Sequence, residues 1–466
     1  FSVVVLFLCA GILTPKEMLE GFSNKGMITV ALLFLVSEGI RQSGTLGQVI
    51  KKLLPQGKTT VFKAQLRILP SVAFISAFLN NTPVVVIFAP IIKHWAKSVN
   101  LPATKFLIPL SYVTILGGIC TLIGTSTNLV VHGMILEAGF EGFSMFELGK
   151  VGIFIAIAGI IYIFLFSKRL LPDARPDTAV PDEEVEEGEK LHRVEAVLGA
   201  RFPGINKKLK DFNFQRHYGA EVKEIKTRNG QRFVSNLEEV VLHEGDTLVV
   251  MADDTFIPTW GESSVFVLLT NGNEPDTTGK KKRWFALLLL VLMIVGATVG
   301  ELPVTKEMFP DIKLDMFFFV SITTIIMAWT NLFPARKYTK YISWDILITI
   351  ACAFAISKAM VNSGVADSVA KFIIGLSDDY GPHVLLAMVF IITNLFTELI
   401  TNNAAAALAF PLALSISAQL GVSPTPFFVV ICMAASASFS TPIGYQTNLI
   451  VQGIGNYKFT DFVRIG

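Results

Sequence analysis

Charge is what this chain has least of. Of its 466 residues only 16% are Asp, Glu, Lys or Arg, against 52% hydrophobic, and the net charge is +2. Soluble domains carry about a quarter charged residues, so the composition excludes an ordinary soluble protein and points to a membrane protein with a polar part attached. No basic block is long enough for nucleic-acid binding. Cysteine is scarce as well: Cys9, Cys120, Cys352 and Cys432 stand singly in apolar runs. That excludes a CxxC metal site and a disulfide framework. No nucleophile–base pair or metal-ligand cluster is evident, so an enzyme is not expected.

What is present is long apolar sequence, with a mean hydropathy of +0.58. A spanning helix needs about 20 apolar residues, and residues 27–41, 106–119, 151–167, 284–299, 316–333, 344–361, 384–396 and 426–437 are the expected spans. The chain opens at Phe1 within the run FSVVVLFLCAGIL, which reads as the remainder of a cut first span. Between residues 171 and 282 the composition changes to an acidic linker followed by a polar stretch. In that stretch VKEIK alternates, Asn229-Gly230 signals a hairpin turn and TLVVMA reads as a buried strand. The basic flanks, Lys168-Arg169 and Lys280–Arg283, place this small α/β domain in the cytoplasm by the positive-inside rule.

The chain repeats itself. Ile28-Thr29-Val30 matches Ile348-Thr349-Ile350 and Ser43-Gly44 matches Ser363-Gly364, both 320 positions on. Asn81 and Pro90 match Asn402 and Pro411 at 321, and TLIGTSTNLVVHG (121–133) matches TPIGYQTNLIVQG (441–453) at 320. Four blocks in one order at nearly constant offset imply a duplication. Lys51, Lys52, Lys58, Lys63 and Arg67 follow the first repeat helix, where the second has Lys371, Asp378 and Asp379; Arg336, Lys337 and Lys340 precede the second, where the first has only Lys25. Opposite charge bias at equivalent loops predicts inverted repeats, a secondary-transporter design.

Each repeat carries two polar interruptions, an Asn pair (Asn80-Asn81; Asn402-Asn403) and a G-x-x-T-N break (124–128; 444–448). Broken spans are tolerated where backbone lines a buried or wet cavity. The expected form is two re-entrant hairpin tips, each completed by the break of its own repeat. A half-helix beginning after a break offers free N–H groups and a positive dipole end. Unwound carbonyls with Ser76, Thr397 and the Asn oxygens suit Na⁺. The amides and hydroxyls of Asn81, Thr82, Thr127, Asn402, Asn403 and Thr447 suit an oxyanion. Isolated Asn, Ser and Thr in membrane helices often serve only as interhelical partners, but four interruptions related by one repeat read as a site. No Lys or Arg lies in either doubled block, so an anion would be held by helix ends, N–H donors and nearby Na⁺. Glu398 is the one acid there, a proton, structural or gating candidate, with non-titrating Ala77 as its repeat partner.

At these residues the chain resembles the divalent anion:sodium symporter family, transporters of sulfate and of di- and tricarboxylates. That family has Ser-Asn-Thr at each hairpin tip, where this chain has Asn80-Asn81-Thr82 and Thr401-Asn402-Asn403. The resemblance implies an elevator mechanism, a scaffold that forms a homodimer, and two Na⁺ sites. One would use Ser76, Asn80, Asn81 and Gly124, the other Thr397, Ile400, Asn402 and Gly444. GTSTN, in place of the G-S-P-P-N type of dicarboxylate carriers, looks like the sulfate branch. PGINKKLKDFNFQRHYGAEVKEI and HEGDTLVVMAD resemble the C-terminal domain of TrkA-type potassium-transport regulators, which binds small ligands or nucleotides or dimerises; no Gly-rich phosphate loop accompanies it.

The expected fold is therefore an all-α polytopic membrane protein with inverted repeats and two re-entrant hairpins, plus a small α/β cytoplasmic domain. Its parts are residues 1–171 (first repeat, truncated at its start), 172–190 (linker), 191–275 (TrkA-C-like domain), 276–343 (scaffold and connecting helices) and 344–466 (second repeat). The expected function is Na⁺-coupled symport of a small divalent oxyanion, sulfate first, in a bacterial inner or plasma membrane. A di- or tricarboxylate symporter is the alternative, then a Na⁺/H⁺ antiporter or arsenite-type permease, and last a membrane sensor.

Overall fold

A computed structural model describes residues 1–173, 192–199, 201–227, 231–253, 256–260, 265–270, 280–309, 312–375 and 381–466. Most of the expected acidic linker, the Asn229-Gly230 turn and Asp378-Asp379 lie outside them. Thirteen longer helices carry the argument. The first half supplies α1 (Lys25–Gln42), α2 (Val61–Ser76), α3 (Asn81–Ser98), α4 (Leu107–Gly118), α5 (Ser126–Glu137) and α6 (Gly149–Leu170). After the sheet come α7 (Lys280–Gly300), α8 (Met316–Trp329), α9 (Trp344–Asn362), α10 (Gly381–Leu399), α11 (Asn402–Leu420), α12 (Thr425–Ser436) and α13 (Gln446–Gly455).

All eight expected spans fall on helices. Three further helices, α2, α3 and α11, were not expected as spans, because the polar tips interrupt their apolar pattern and each carries an internal proline (Pro70, Pro90, Pro411). The outermost helices are apolar all round. Helix α6 exposes Phe154, Ile157 and Leu165, and α7 exposes Leu288, Val291 and Val295, faces that a bilayer covers. Among the described residues five helices are long and apolar enough to cross a membrane, or up to six if one bent pair counts as a single span.

The duplication is visible contact for contact. Gly44 and Gly364 both turn the chain in the left-handed region, at φ +68° and +72°, closing α1 and α9 where a side chain would be strained. Helix α2 packs on α4 as α10 packs on α12. The helices after the tips cross over: α3 packs on α13, and α11 on α5.

The polar stretch folds around its own core, with Phe202, Phe214, Leu248 and Phe266 inside it. Strands β1 (His192–Leu198), β2 (Glu221–Lys226), β3 (Arg232–Phe233), β4 (Thr247–Ala252) and β5 (Phe266–Thr270) make one sheet in the order β3-β2-β4-β1-β5. Both expected strands are present, and every described pairing is antiparallel.

This sheet sits directly on helices that run to the tips and breaks. A methyl on Gly453 of α13 would lie 2.7 Å from Thr247 Oγ1, and one on Gly245 would lie 2.6 Å from Leu449 Cδ1. Lys93 of α3 donates to both carboxylate oxygens of Glu195 at 3.0 Å, and Lys226 approaches at 3.4 Å. Burial alone would raise the Glu195 carboxyl, but Lys93 and Lys226 hold it at about 2, below the ordinary 4.5. Because the folded value is depressed, this stabilisation is present above pH 4.5 and is lost as pH falls toward 2. Gly453→Leu is expected to unseat the sheet. Limited proteolysis within residues 192–270 should then accelerate by an order of magnitude or more, since cleavage follows the population of the open form, while the helical part stays intact.

Candidate functional site

Four helices begin at the four sequence interruptions: α3 at Asn81, α5 at Ser126, α11 at Asn402 and α13 at Gln446. Asn80, Thr125, Thr401 and Tyr445 precede them, and none of these makes a side-chain cap. Uncapped N-termini leave backbone N–H groups free and carry the positive end of the helix dipole.

The breaks are shaped identically. Asn128 Nδ2 donates to the carbonyls of Gly118 (3.3 Å) and Thr121 (2.9 Å), and Asn448 Nδ2 to those of Ser438 (2.9 Å) and Thr441 (3.2 Å). The Thr121 hydroxyl donates to the Ala77 carbonyl, as the Thr441 hydroxyl does to that of Glu398. Each break is thus stapled to the tip of its own repeat by Thr121 or Thr441, while Asn128 and Asn448 tie the break back to the segment that precedes it. Ser111 faces Asn448 Oδ1 at 2.6 Å. Its register equivalent in the second repeat is Ile431, and Asn128 Oδ1 is buried without a partner among the described residues.

The side chains pair differently, across repeats. Asn81 Nδ2 faces the Tyr445 hydroxyl at 2.6 Å, and Thr82 Oγ1 donates to Gln446 Oε1 at 3.3 Å. Asn402 Nδ2 donates to Thr127 Oγ1 at 2.7 Å, and Asn403 Oδ1 accepts from Thr127 at 3.1 Å and Ser126 at 3.3 Å. The expectation that each tip is completed by its own break holds for the staples and for the inward amide atom of Asn81, which lies 3.2 Å from the Gly124 carbonyl. The polar side chains of each tip also meet the break of the other repeat, because α3 packs on α13 and α11 on α5.

Asn81, Thr82, Thr127, Asn402 and Asn403 therefore come together. Thr447 does not join them: it is fully buried and accepts from Ser111 at 2.9 Å. Around Asn81 the inward amide atom lies 2.9 Å from Ser76 Oγ, 3.1 Å from the Thr114 carbonyl and 3.2 Å from the Gly124 carbonyl. With oxygen inward, four oxygens converge, a donor set suited to a hard cation; with nitrogen inward the amide donates to all three. Asn80 lines a small cavity with Leu33, Ser37 and Ser126, on the side of the tip that faces α1. At the second tip the Thr397 hydroxyl donates to the Ala435 carbonyl at 2.6 Å, the Thr397 carbonyl abuts Gly444, and Ile400 is exposed.

Thr114 was missed as a site residue, and Tyr445 was not among the candidate ligands. Thr114 lies inside an unbroken apolar helix and acts through its carbonyl, which no side-chain pattern reveals. Tyr445 stands at the register of Thr125, so the repeat marked its place. Glu398 is held in the loop after α12: Oε1 accepts from the Phe439 and Ser440 N–H groups at 3.0 Å, and Oε2 from Ser438 at 3.3 Å. Those three bonds make it a structural clasp.

A family model described as citrate transporter matches residues 1–416 and, in a second match, residues 304–465. An uncharacterized transporter of Synechocystis sp. is 30% identical over 550 residues, covering 100% of this chain and 89% of that protein. A Chlamydomonas reinhardtii protein named "Probable sodium/sulfate cotransporter 3" is 23% identical over 759 residues, covering 100% of this chain and 84% of its own length. Sodium/sulfate cotransporter 2 of the same organism is 31% identical over 276 residues, 59% of this chain and 30% of that protein.

Proposed function

This chain belongs to the citrate transporter family, a multi-pass membrane transporter and not an enzyme, and from that premise we propose that it is a sodium-coupled symporter of a small divalent oxyanion, sulfate first. One observation carries the reading. Four uncapped helix N-termini are linked through Asn81, Thr82, Ser126, Thr127, Asn402, Asn403, Tyr445 and Gln446, with no Lys or Arg in the four motifs. Such a centre binds an anion through dipoles and N–H donors, and the short amides and hydroxyls suit a small tetrahedral one. The oxygens of Ser76, Asn81, Thr114 and Gly124 suit Na⁺ as the coupling cargo. A second Na⁺ near Thr397, Asn402 and Gly444 follows from the repeat. Each ion then improves the binding of the other. The sodium/sulfate names of two relatives support the choice.

An elevator movement of inverted repeats bearing re-entrant tips, in a homodimer, is part of this reading, as is a bacterial inner or plasma membrane location. The sheet, flanked by basic residues on both sides, is placed in the cytoplasm as a TrkA-C-like domain open to a small regulatory ligand or nucleotide. The description of the matching family favours a second reading, a di- or tricarboxylate as cargo. Uptake into proteoliposomes separates the two. Labelled sulfate should enter under an imposed Na⁺ gradient and not under a K⁺ gradient. Uptake of citrate or succinate without sulfate would overturn the first reading in favour of the second. Glu398→Gln should leave the Na⁺ dependence in place, because its carboxylate clasps a loop. Loss of a pH-dependent, anion-independent Na⁺ flux in that variant would instead indicate an antiporter.

A further inference from the structure

Tyr445 stands between the two halves of the centre. It is 6% exposed. Its hydroxyl meets the Asn81 amide at 2.6 Å and Thr125 Oγ1 at 3.0 Å, and it interacts with Asn402. It thus bonds to Asn81, beside the oxygen cluster, and to Thr125, which precedes the oxyanion donors Ser126 and Thr127, and it lies near Asn402.

The Asn81 amide has one oxygen and one NH2 group, so it cannot turn the same face both ways. With NH2 inward, its two hydrogens are shared among Ser76, Thr114 and Gly124, and its oxygen accepts from the Tyr445 hydroxyl at 2.6 Å. With oxygen inward, that oxygen joins Ser76, Thr114 and Gly124 as a cation ligand, and the NH2 donates to a lone pair of the tyrosine oxygen. A hydroxyl has only one proton to give. In the first state it is committed to Asn81. In the second it is available to Thr125 or to an acceptor beside Asn402.

We propose that Tyr445 is the positioning residue that couples cation and anion: Na⁺ among Ser76, Asn81, Thr114 and Gly124 turns the Asn81 oxygen inward and thereby frees the Tyr445 O–H to donate to the oxyanion. The proton stays on the tyrosine throughout; only its hydrogen-bond partner changes. This deepens the symport reading above and rests on it. The residue in equivalent register, Thr125, is too short to bridge both halves, so the relay belongs to one repeat only.

The test is the sulfate affinity of the purified full-length chain at low and at saturating Na⁺. Saturating Na⁺ should tighten sulfate binding about tenfold or more in the unaltered protein, within the usual range of coupling between sites. In Tyr445→Phe the ratio of the affinities at saturating and at low Na⁺ should shrink to less than about twofold, whatever the affinity at low Na⁺. A merely structural tyrosine, or a simple ligand, would lower affinity at both Na⁺ levels alike, and that result overturns the relay. So does a Tyr445→Phe protein with the full Na⁺ effect. Thr125→Val, which keeps the tyrosine but removes its competing acceptor, should retain or enlarge the Na⁺ effect; loss of the effect would also overturn it. If the unaltered protein binds sulfate with no Na⁺ effect, or does not bind it, the symport reading itself fails and the relay falls with it.

Discussion

Alanine in place of Asn81 should reduce Na⁺-dependent uptake by about 100-fold or more, to background. The expectation follows from how many groups the amide serves. It reaches Ser76, Thr114, Gly124 and Tyr445, and it is 1% exposed. Truncation leaves several buried polar groups without partners, each costing about 1–3 kcal/mol, and removes an oxygen from the candidate cation shell. Asn402→Ala should lose uptake to a similar degree, because it removes the donor to Thr127 and a neighbour of Tyr445. Uptake by reconstituted variants is the measurement, with thermal unfolding as the control. Wild-type uptake in both would move the site elsewhere in the fold.

The break glycines should be nearly as sensitive. A methyl on Gly124 would run into the Gly118 carbonyl, and one on Gly444 into Ser438 Oγ and the Thr397 carbonyl. Neither glycine has a left-handed backbone, so the obstacle is close approach of chain to chain and not conformational freedom. In each case the obstructing atoms include a backbone carbonyl, so alanine must push the break away from the end of α4 at Gly124 and from its tip at Gly444. At Gly124 this moves a carbonyl of the candidate cation shell, and a displacement of that kind in a positioned site costs about 100-fold. Gly124→Ala and Gly444→Ala are therefore expected to lose uptake by that order while still inserting in the membrane. The clearest sign at Gly124 would be a raised Na⁺ concentration for half-maximal uptake. Unchanged Na⁺ dependence in Gly124→Ala would remove its carbonyl from the cation site.

Part of this centre was legible before any coordinates. The offset of 320 or 321 put Asn81 with Asn402 and Gly124 with Gly444, and the same register accounts for the paired Asn128 and Asn448 ties. What failed was length-based reading of spans. Helices α2, α3 and α11 were passed over because a span is judged by continuous apolar sequence, and each of them meets a polar tip. Thr447, chosen by the T-N motif, turned out to face Ser111, since helical period and packing on α4 direct it away from the tips.

By itself the sequence determined the membrane class, through its scarcity of charge, and the doubled plan, through repeated spacing. It also carried the motifs that tie the chain to its family. All of these are properties of composition or of short stretches, readable wherever the stretches end up in space. Only the tertiary structure decided which polar groups touch. Spacing relates a residue to its own copy, whereas Asn81 meets Tyr445 and Asn402 meets Thr127 because each tip helix packs on the post-break helix of the other half. That choice depends on how two apolar surfaces fit together over whole helices, and no local pattern records it.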